Sequence, residues 1–230
     1  MPAPMARSDP ALAAAPPDAA APDAAAPDAA AVGPGSSVRS SERGAATRSA
    51  LLAAAREVFI SEGYAQAAVT EIVARAGTSV GCLYHHFAGK AELYLTLYDE
   101  LQNDHTERTR RTVGRARDAG VTDPMQLFLA GAGGYLDVGI EQRELSRVFS
   151  CGDGPPGFEV VWQRRLAEWV AKNTEFFAGV GEPLDEAVAI VMSGAMLLAL
   201  GEMSRAQDSA QAHRIADGVL SVLSRLETRP

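Results

Sequence analysis

The sequence predicts an all-α fold, and three observations carry that reading. Alanine and leucine are abundant while β-branched runs are rare, which favours helix over sheet. Beyond residue 40, apolar residues recur at helical spacing and no convincing strand pair appears. Glycines and capping residues punctuate the chain at intervals of a helix length. With 230 residues the chain suits one or two domains and is long enough to bury a sizeable core.

Residues 1–40 are low in complexity. Pro-Asp-Ala-Ala-Ala repeats over 17–21, 22–26 and 27–31, and nothing there can offset the entropy of ordering. A disordered Ala/Pro/Asp-rich tail is expected. The first helix is expected to begin near Ser41–Ala45. Leu51, Leu52, Ala55, Val58 and Phe59 form its apolar stripe, and Gly63 stops it. A second helix over Val69–Ala76 buries Val69, Ile72, Val73 and Ala76, and Gly77 breaks it. Ser79 caps a third, Val80–Phe87, with Val80, Leu83 and Phe87 expected inward. After Gly89 a long helix runs from about Ala91 to Ala119. Asp123-Pro124 reads as an N-cap with proline at the first helical position, opening a helix to about Val138. A short helix over Gln142–Ser150 precedes a loop, Gly152–Gly157. Helices over Phe158–Ala178, Leu184–Arg205 and Ser209–Glu227 complete the chain.

The net charge of −8 argues at first against nucleic acid, but its distribution matters more. Residues 1–40 carry 2 basic and 4 acidic side chains (−2), residues 41–90 carry 5 and 4 (+1), and the remainder carries −7. The acidity sits outside residues 41–90, although +1 is weak support for DNA by itself. Two separated cysteines, Cys82 and Cys151, make no disulfide framework and fit a reducing compartment. The first residues lack the basic start and apolar stretch of a signal peptide. The longest apolar run, Ala187–Leu200, is short of the ~20 residues of a membrane span. A cytoplasmic protein without a membrane segment is expected.

Residues 68–93 carry the function. A helix, a short glycine turn and a short second helix make the layout of a DNA-binding helix-turn-helix. The second helix must expose its N-terminal half to base edges in the major groove. Its outward residues are expected to be Gly81, Cys82, Tyr84 and His85. Small residues at 81 and 82 let the backbone come close. Tyr84 offers a hydroxyl to phosphate and a ring to a thymine methyl, and His85 can donate to phosphate or a base. Lys90, at the start of the next helix, suits phosphate. Arg48, Thr70 and Ser79 complete the candidate DNA-contacting set.

The run Glu71-Ile72-Val73-Ala74-Arg75-Ala76-Gly77, then Ser79, Gly81, Leu83-Tyr84-His85-His86-Phe87, Lys90 and Glu92-Leu93, resembles the TetR/AcrR family of regulators. The resemblance covers about residues 43–93. It implies a three-helix DNA-binding domain over 41–90 and a helical effector-binding and dimerisation domain over 91–230. Three positions depart from the family's pattern. Ala68 stands where threonine commonly caps the second helix, so Thr70 takes part of that role or the contact is missing. Thr78 replaces a more usual valine, and Cys82 stands where small hydroxyl residues or alanine are common. Tyr84 has an alternative as a packing residue on the first helix. Cys82, His85 and His86 have zinc-compatible spacing, but the resemblance makes His86 a packing residue, so no metal or cofactor is expected. Cys82 as a redox sensor has only the helix dipole to lower its pKa.

A regulated protein of this kind needs a mostly apolar pocket with a few placed polar groups. Candidates are Tyr98, Leu101 and His105 on the long helix, Phe128 and Tyr135 on the next, and Phe149, Trp162 and Met192 beyond, with Arg147 and Asp153 as polar partners. Such a set suits a small hydrophobic or aromatic effector. Ala187–Leu200 is apolar on nearly all faces and must be covered on more than one side, with Gly194, Ala195 and Gly201 allowing close approach. The resemblance implies a homodimer through the last two helices, so that paired recognition helices meet double-stranded operator DNA about one turn apart, ~34–36 Å. A repressor released by its effector is the expected function. Two rivals remain: a regulator acting through protein contacts without DNA, and a ligand-converting enzyme. No paired carboxylates, phosphate loop or nucleophilic triad supports the latter.

Overall fold

The computed structural model describes residues 34–179 and 184–226, with side chains from residue 42 onward. Among them are nine α-helices and no strand. They are α1 Pro34–Gln66, α2 Val69–Arg75, α3 Val80–His86, α4 Lys90–Asp118, α5 Pro124–Glu141, α6 Arg143–Ser150, α7 Phe158–Gly179, α8 Glu186–Ser204 and α9 Ser209–Leu223. Of the disordered tail expected over 1–40, residues 1–33 lie outside the described residues and 34–40 are helical, forming the start of α1. α1 starts at Pro34, upstream of the expected Ser41–Ala45, since a helix once nucleated extends at little cost. Its regular geometry does break at Gly63, as the sequence predicts (φ 78°).

The ends of the short helices follow from their residues. α2 closes on Gly77 (φ +64°), where the Thr78 N–H donates to the Val73 carbonyl at 2.9 Å and the Gly77 N–H to the Ala74 carbonyl at 3.2 Å. This pair of bonds needs a left-handed residue, which only glycine adopts freely. Ser79 caps α3 by accepting the Cys82 N–H at 3.2 Å. Asp123, Asp185 and Asp208 cap α5, α8 and α9 in the same way. The start of α2 has no such bond: Ala68 offers none, and Thr70 does not replace it.

Two hydrophobic cores form. The upper core joins α1, α2, α3 and the first turns of α4 to α6, to Val138 of α5 and to Phe158 of α7. At its centre the Tyr94 ring meets Phe59 (5.7 Å between centroids), Tyr64 (5.1 Å), Phe149 (4.9 Å) and Phe158 (5.0 Å). The lower core joins α5, α7, α8 and α9 around Leu136, Phe177, Met192, Met196 and Met203. Packing therefore does not pause at residue 90, where the sequence pattern divides the chain.

Close helix approach occurs at α4 against α5. A Cβ on Gly134 would sit 2.6 Å from the Thr112 hydroxyl and 3.2 Å from the Arg108 carbonyl, and one on Gly131 2.9 Å from Val113. The glycines expected to serve this purpose do not do so within the chain. Nothing lies within 4 Å of a Cβ on Gly194, and one on Gly201 would meet only the Arg205 guanidinium, at 3.5 Å. α8 is long and apolar enough to cross a membrane by length and composition. Ala189, Met192, Met196 and Met203 are nevertheless buried in the bundle, as in the core helix of a globular fold.

Candidate nucleic-acid interface and ligand cavity

α3 is anchored from one side only. Leu83 and the following Phe87 are buried in the upper core, and Ser79 fixes the helix start. Val80 was expected inward with them but is 39% exposed, because the turn at Gly77–Ser79 carries the helix start out of the core. Gly81 and His85 are exposed and Tyr84 is 57% exposed, so Tyr84 is not a packing residue on α1. Cys82 is half-buried, and Thr70 and Ser79 are exposed beside this face. The Arg48 guanidinium lies 4.8 Å over the Phe87 ring, which holds a cation next to α3. No group of three or more metal-ligating side chains occurs among the described residues. The His85 and His86 rings lie edge to face, 5.1 Å apart.

Lys90 departs from the expectation that its cation faces phosphate. Its ammonium donates to the carbonyls of Tyr64 (2.7 Å), Ala65 (3.2 Å) and Ala67 (3.0 Å) and lies 4.5 Å over the Tyr64 ring. The end of α1 leaves carbonyls without helical partners, and the lysine that opens α4 closes them. Three donors are thereby engaged, so Lys90 joins α4 to α1 rather than offering a free charge.

A cavity of about 690 Å³ lies at the seam of the two cores. Tyr98, Leu101, Phe149 and Phe158 of the upper core line it together with Phe128, Ala132, Tyr135 and Trp169 of the lower. Of the sequence candidates, Tyr98, Leu101, His105, Phe128, Tyr135, Phe149 and Trp162 line this space. Arg147, Asp153 and Met192 do not. Arg147 is exposed because α6 buries Leu145, Ser146, Val148 and Phe149, so residue 147 points the other way; it borders a smaller hollow with Arg143 and Gln207. Met192 is fully buried inside the lower core. Asp153 turns toward α1, where both carboxylate oxygens accept the Ala65 N–H at 3.1 Å. Its neighbours Gly152, Gly154 and Pro155 do line the cavity.

Several lining residues were missed. Trp169, Asn173 and Phe176 continue the helical stripe that begins at Trp162 and Leu166 on α7, and extending that period finds them. Gln102, Thr106 and Thr109 continue the Tyr98 stripe on α4 in the same manner. Ser146 carried no signal: a serine between leucine and arginine reads as surface. It is buried, and its hydroxyl has no hydrogen-bond partner.

The interior polar groups of the cavity are uncharged. His105 Nδ1 lies 2.9 Å from the Tyr135 carbonyl; a carbonyl only accepts, so Nδ1 carries the proton. Burial lowers the His105 pKa to about 4 against the smaller raising effect of that bond, and the ring is neutral at physiological pH. Burial likewise raises the Tyr135 and Tyr98 phenols above the usual range, keeping both protonated.

The profile of the family described as bacterial regulatory proteins, tetR family, matches residues 51–97, from the α1 stripe into the first turns of α4. A transcriptional activator of Mycolicibacterium smegmatis, FasR, is 52% identical over 50 residues, which is 22% of this chain and 23% of FasR. The repressor Rv1474c of Mycobacterium tuberculosis is 30% identical over 136 residues, 59% of this chain and 67% of its own length. FasR, CymR and TtgR are each matched over less than two fifths of their length. The crystal structure of NalD, a secondary repressor of the MexAB-OprM multidrug efflux pump in Pseudomonas aeruginosa, superposes with a TM-score of 0.59. That likeness covers 81% of this chain and 96% of NalD at 18% identity, and shows the fold alone.

Proposed function

The chain belongs to the TetR family of bacterial transcription regulators, and from that premise we propose that it is a homodimeric repressor released from operator DNA by a small apolar molecule in the α4–α7 cavity. Regulators of this family are not enzymes, and the ligand-converting alternative is set aside. One observation carries the reading: the core that anchors α3 is the same core that walls the cavity. An occupant that spreads Tyr98 and Phe149 from Tyr135 and Trp169 works directly on the packing that orients Tyr84 and His85. Coupling requires that the effector bind the DNA-incompetent arrangement more tightly.

The dimer is supported by the outer faces of α8 and α9. Ile190, Val191, Leu198 and Val222 are exposed, with Gly194 open between them. A second copy covering these faces sets two α3 helices on a pseudo-palindrome. Thr70, Ser79 and Arg48 then serve phosphates, and Gly81, Cys82, Tyr84 and His85 meet base edges.

Selection of binding sites from a random duplex pool by the purified protein tests this, with Tyr84→Ala as control. The expected result is a palindromic motif that the variant fails to enrich. Recovery of a single half-site removes the dimer. No enrichment even at low salt, where phosphate contacts are strongest, transfers the reading to a regulator that works through protein contacts.

A further inference from the structure

The cavity's chemistry narrows its occupant, a step that rests on the effector-released reading above. Flat rings line it: Tyr135 stacks with Trp169 (4.8 Å between centroids) and lies at a tilt against His105 (4.2 Å). His105 is only 2% exposed, and with Nδ1–H donating to the Tyr135 carbonyl its Nε2 carries a lone pair. No group among the described residues meets that lone pair. Ser146, 6% exposed, brings a hydroxyl that is sealed from solvent and has no partner. Both residues line the cavity. The Nε2 lone pair and the buried, unpaired Ser146 hydroxyl are each a place where a ligand atom gains a hydrogen bond.

The charged residues that line the cavity keep contact with solvent. Glu159, Glu168, Lys172 and Arg205 line the cavity but are exposed, and Arg165 is paired with Asp99 at 2.9 Å. A carboxylate or ammonium placed beside His105 would lose hydration and meet no opposite charge. An ether or ketone there would set its own lone pair against Nε2. A neutral ligand with an O–H on a planar frame satisfies every group.

We propose that the cavity selects uncharged hydroxylated aromatic molecules. The phenolic O–H donates to His105 Nε2, and Ser146 Oγ meets a second oxygen. Calorimetric titration of the full chain near neutral pH, without DNA, reads this directly. The probes are biphenyl-4-ol, 4-methoxybiphenyl, biphenyl-4-carboxylate and 4,4′-dihydroxybiphenyl. Both tryptophans of the chain, Trp162 and Trp169, line the cavity, so their fluorescence reports occupancy independently.

The phenol is expected to bind about tenfold more tightly than its methyl ether, and the carboxylate more weakly than either. His105→Phe keeps a ring in place and should make phenol and ether equal. Because His105 also ties α4 to α5, Ser146→Ala serves as the second variant. It deletes a hydroxyl that bonds to nothing in the protein, so the fold survives, and it should weaken the dihydroxy probe several-fold while leaving the ether unchanged. Equal binding of phenol and ether by the natural protein, or preference for the carboxylate, overturns the proposal. Failure of all four probes with a protein that still selects an operator overturns the ligand class alone. Phenol binding that leaves operator affinity unchanged upholds the ligand class and overturns the release of DNA by effector.

Discussion

The two cores of this chain are built to different degrees of completion. In the upper core, Leu51, Phe59, Ile72, Leu83 and Tyr94 are fully buried, and the cluster closes on itself within one chain. In the lower core, α8 buries Met192 and Met196 but leaves Leu198 73% exposed on its other side. Burial of apolar area is the main favourable term in folding and association, so an open apolar helix face supports the proposed packing of a second copy there. The upper core holds the recognition helix to the rest of the chain, and the lower core is where two chains can join. The cavity lies between them and touches both.

The largest effect expected from this contrast is at Tyr94. Removing its ring in Tyr94→Ala empties the space between Phe59, Tyr64, Phe149 and Phe158 and should cost ~3–5 kcal/mol in urea unfolding. Two probes sharpen the test. Circular dichroism follows all helices, whereas tryptophan fluorescence follows only α7. Both transitions should move together, because the upper core runs from α2 and α3 into α6 and Phe158. A fluorescence transition that stays in place while the dichroism splits would mean that the N-terminal helices form a separate unit, with the division at residue 90.

His105 gives the next effect, at the seam. Its pKa is about 4 in the folded protein and near 6.5 when unfolded. Between those values the unfolded chain binds a proton that the folded one does not, so stability rises with pH across that window. The contribution is complete above about pH 6.5 and is lost as pH falls toward 4, by up to ~3 kcal/mol. Comparing the natural protein with His105→Gln isolates it from the carboxylates that titrate nearby in pH. Parallel stability–pH curves for the two would show that His105 is hydrated and that the cavity floor is wet.

What the sequence disclosed divides along the same line. The short helices of the upper core were legible because their ends are set by local chemistry: glycines at 63, 77 and 89 and a capping serine at 79. The face that α3 presents was legible for the same reason, apart from Val80. Side chains that cross between helices were not. Lys90 reads as a surface cation, and only the three-dimensional position of the α1 carbonyls turns it inward. Asp153 reads as a pocket carboxylate and instead holds α1. Periodicity supplied about two turns of the cavity wall on α4 and on α5, and full-length stripes on α4 and α7 would have supplied most of the rest. The glycines that matter for close packing, Gly131 and Gly134, lie in a helix whose sequence does not distinguish them from Gly133, where a Cβ would meet nothing nearer than 3.9 Å.

The smallest expected effect on stability has the most to say about signalling. Asp153 sits in the loop between α6 and α7 whose neighbours line the cavity, and its carboxylate accepts the Ala65 N–H just past the break in α1. The fit there is close: a Cβ on Gly63 would come 2.6 Å from Asp153 Oδ2, at a φ of +78° that already favours glycine. The loop is further fixed by the Tyr94 hydroxyl, which donates to the carbonyls of Val148 and Asp153 at 3.3 Å. This gives the cavity a second route to the DNA-binding helices besides α4, a route that is short and consists of one side chain. Asp153→Ala should cost only ~1 kcal/mol in unfolding, since the bond is partly solvated. It should leave operator affinity in the absence of effector within about twofold, and effector affinity for the free protein likewise. The ratio of operator affinities without and with effector is the quantity that changes, falling several-fold if the loop carries part of a coupling of typical size. A ratio equal to that of the natural protein would assign the whole signal to α4 and reduce Asp153 to a cap on the end of α1.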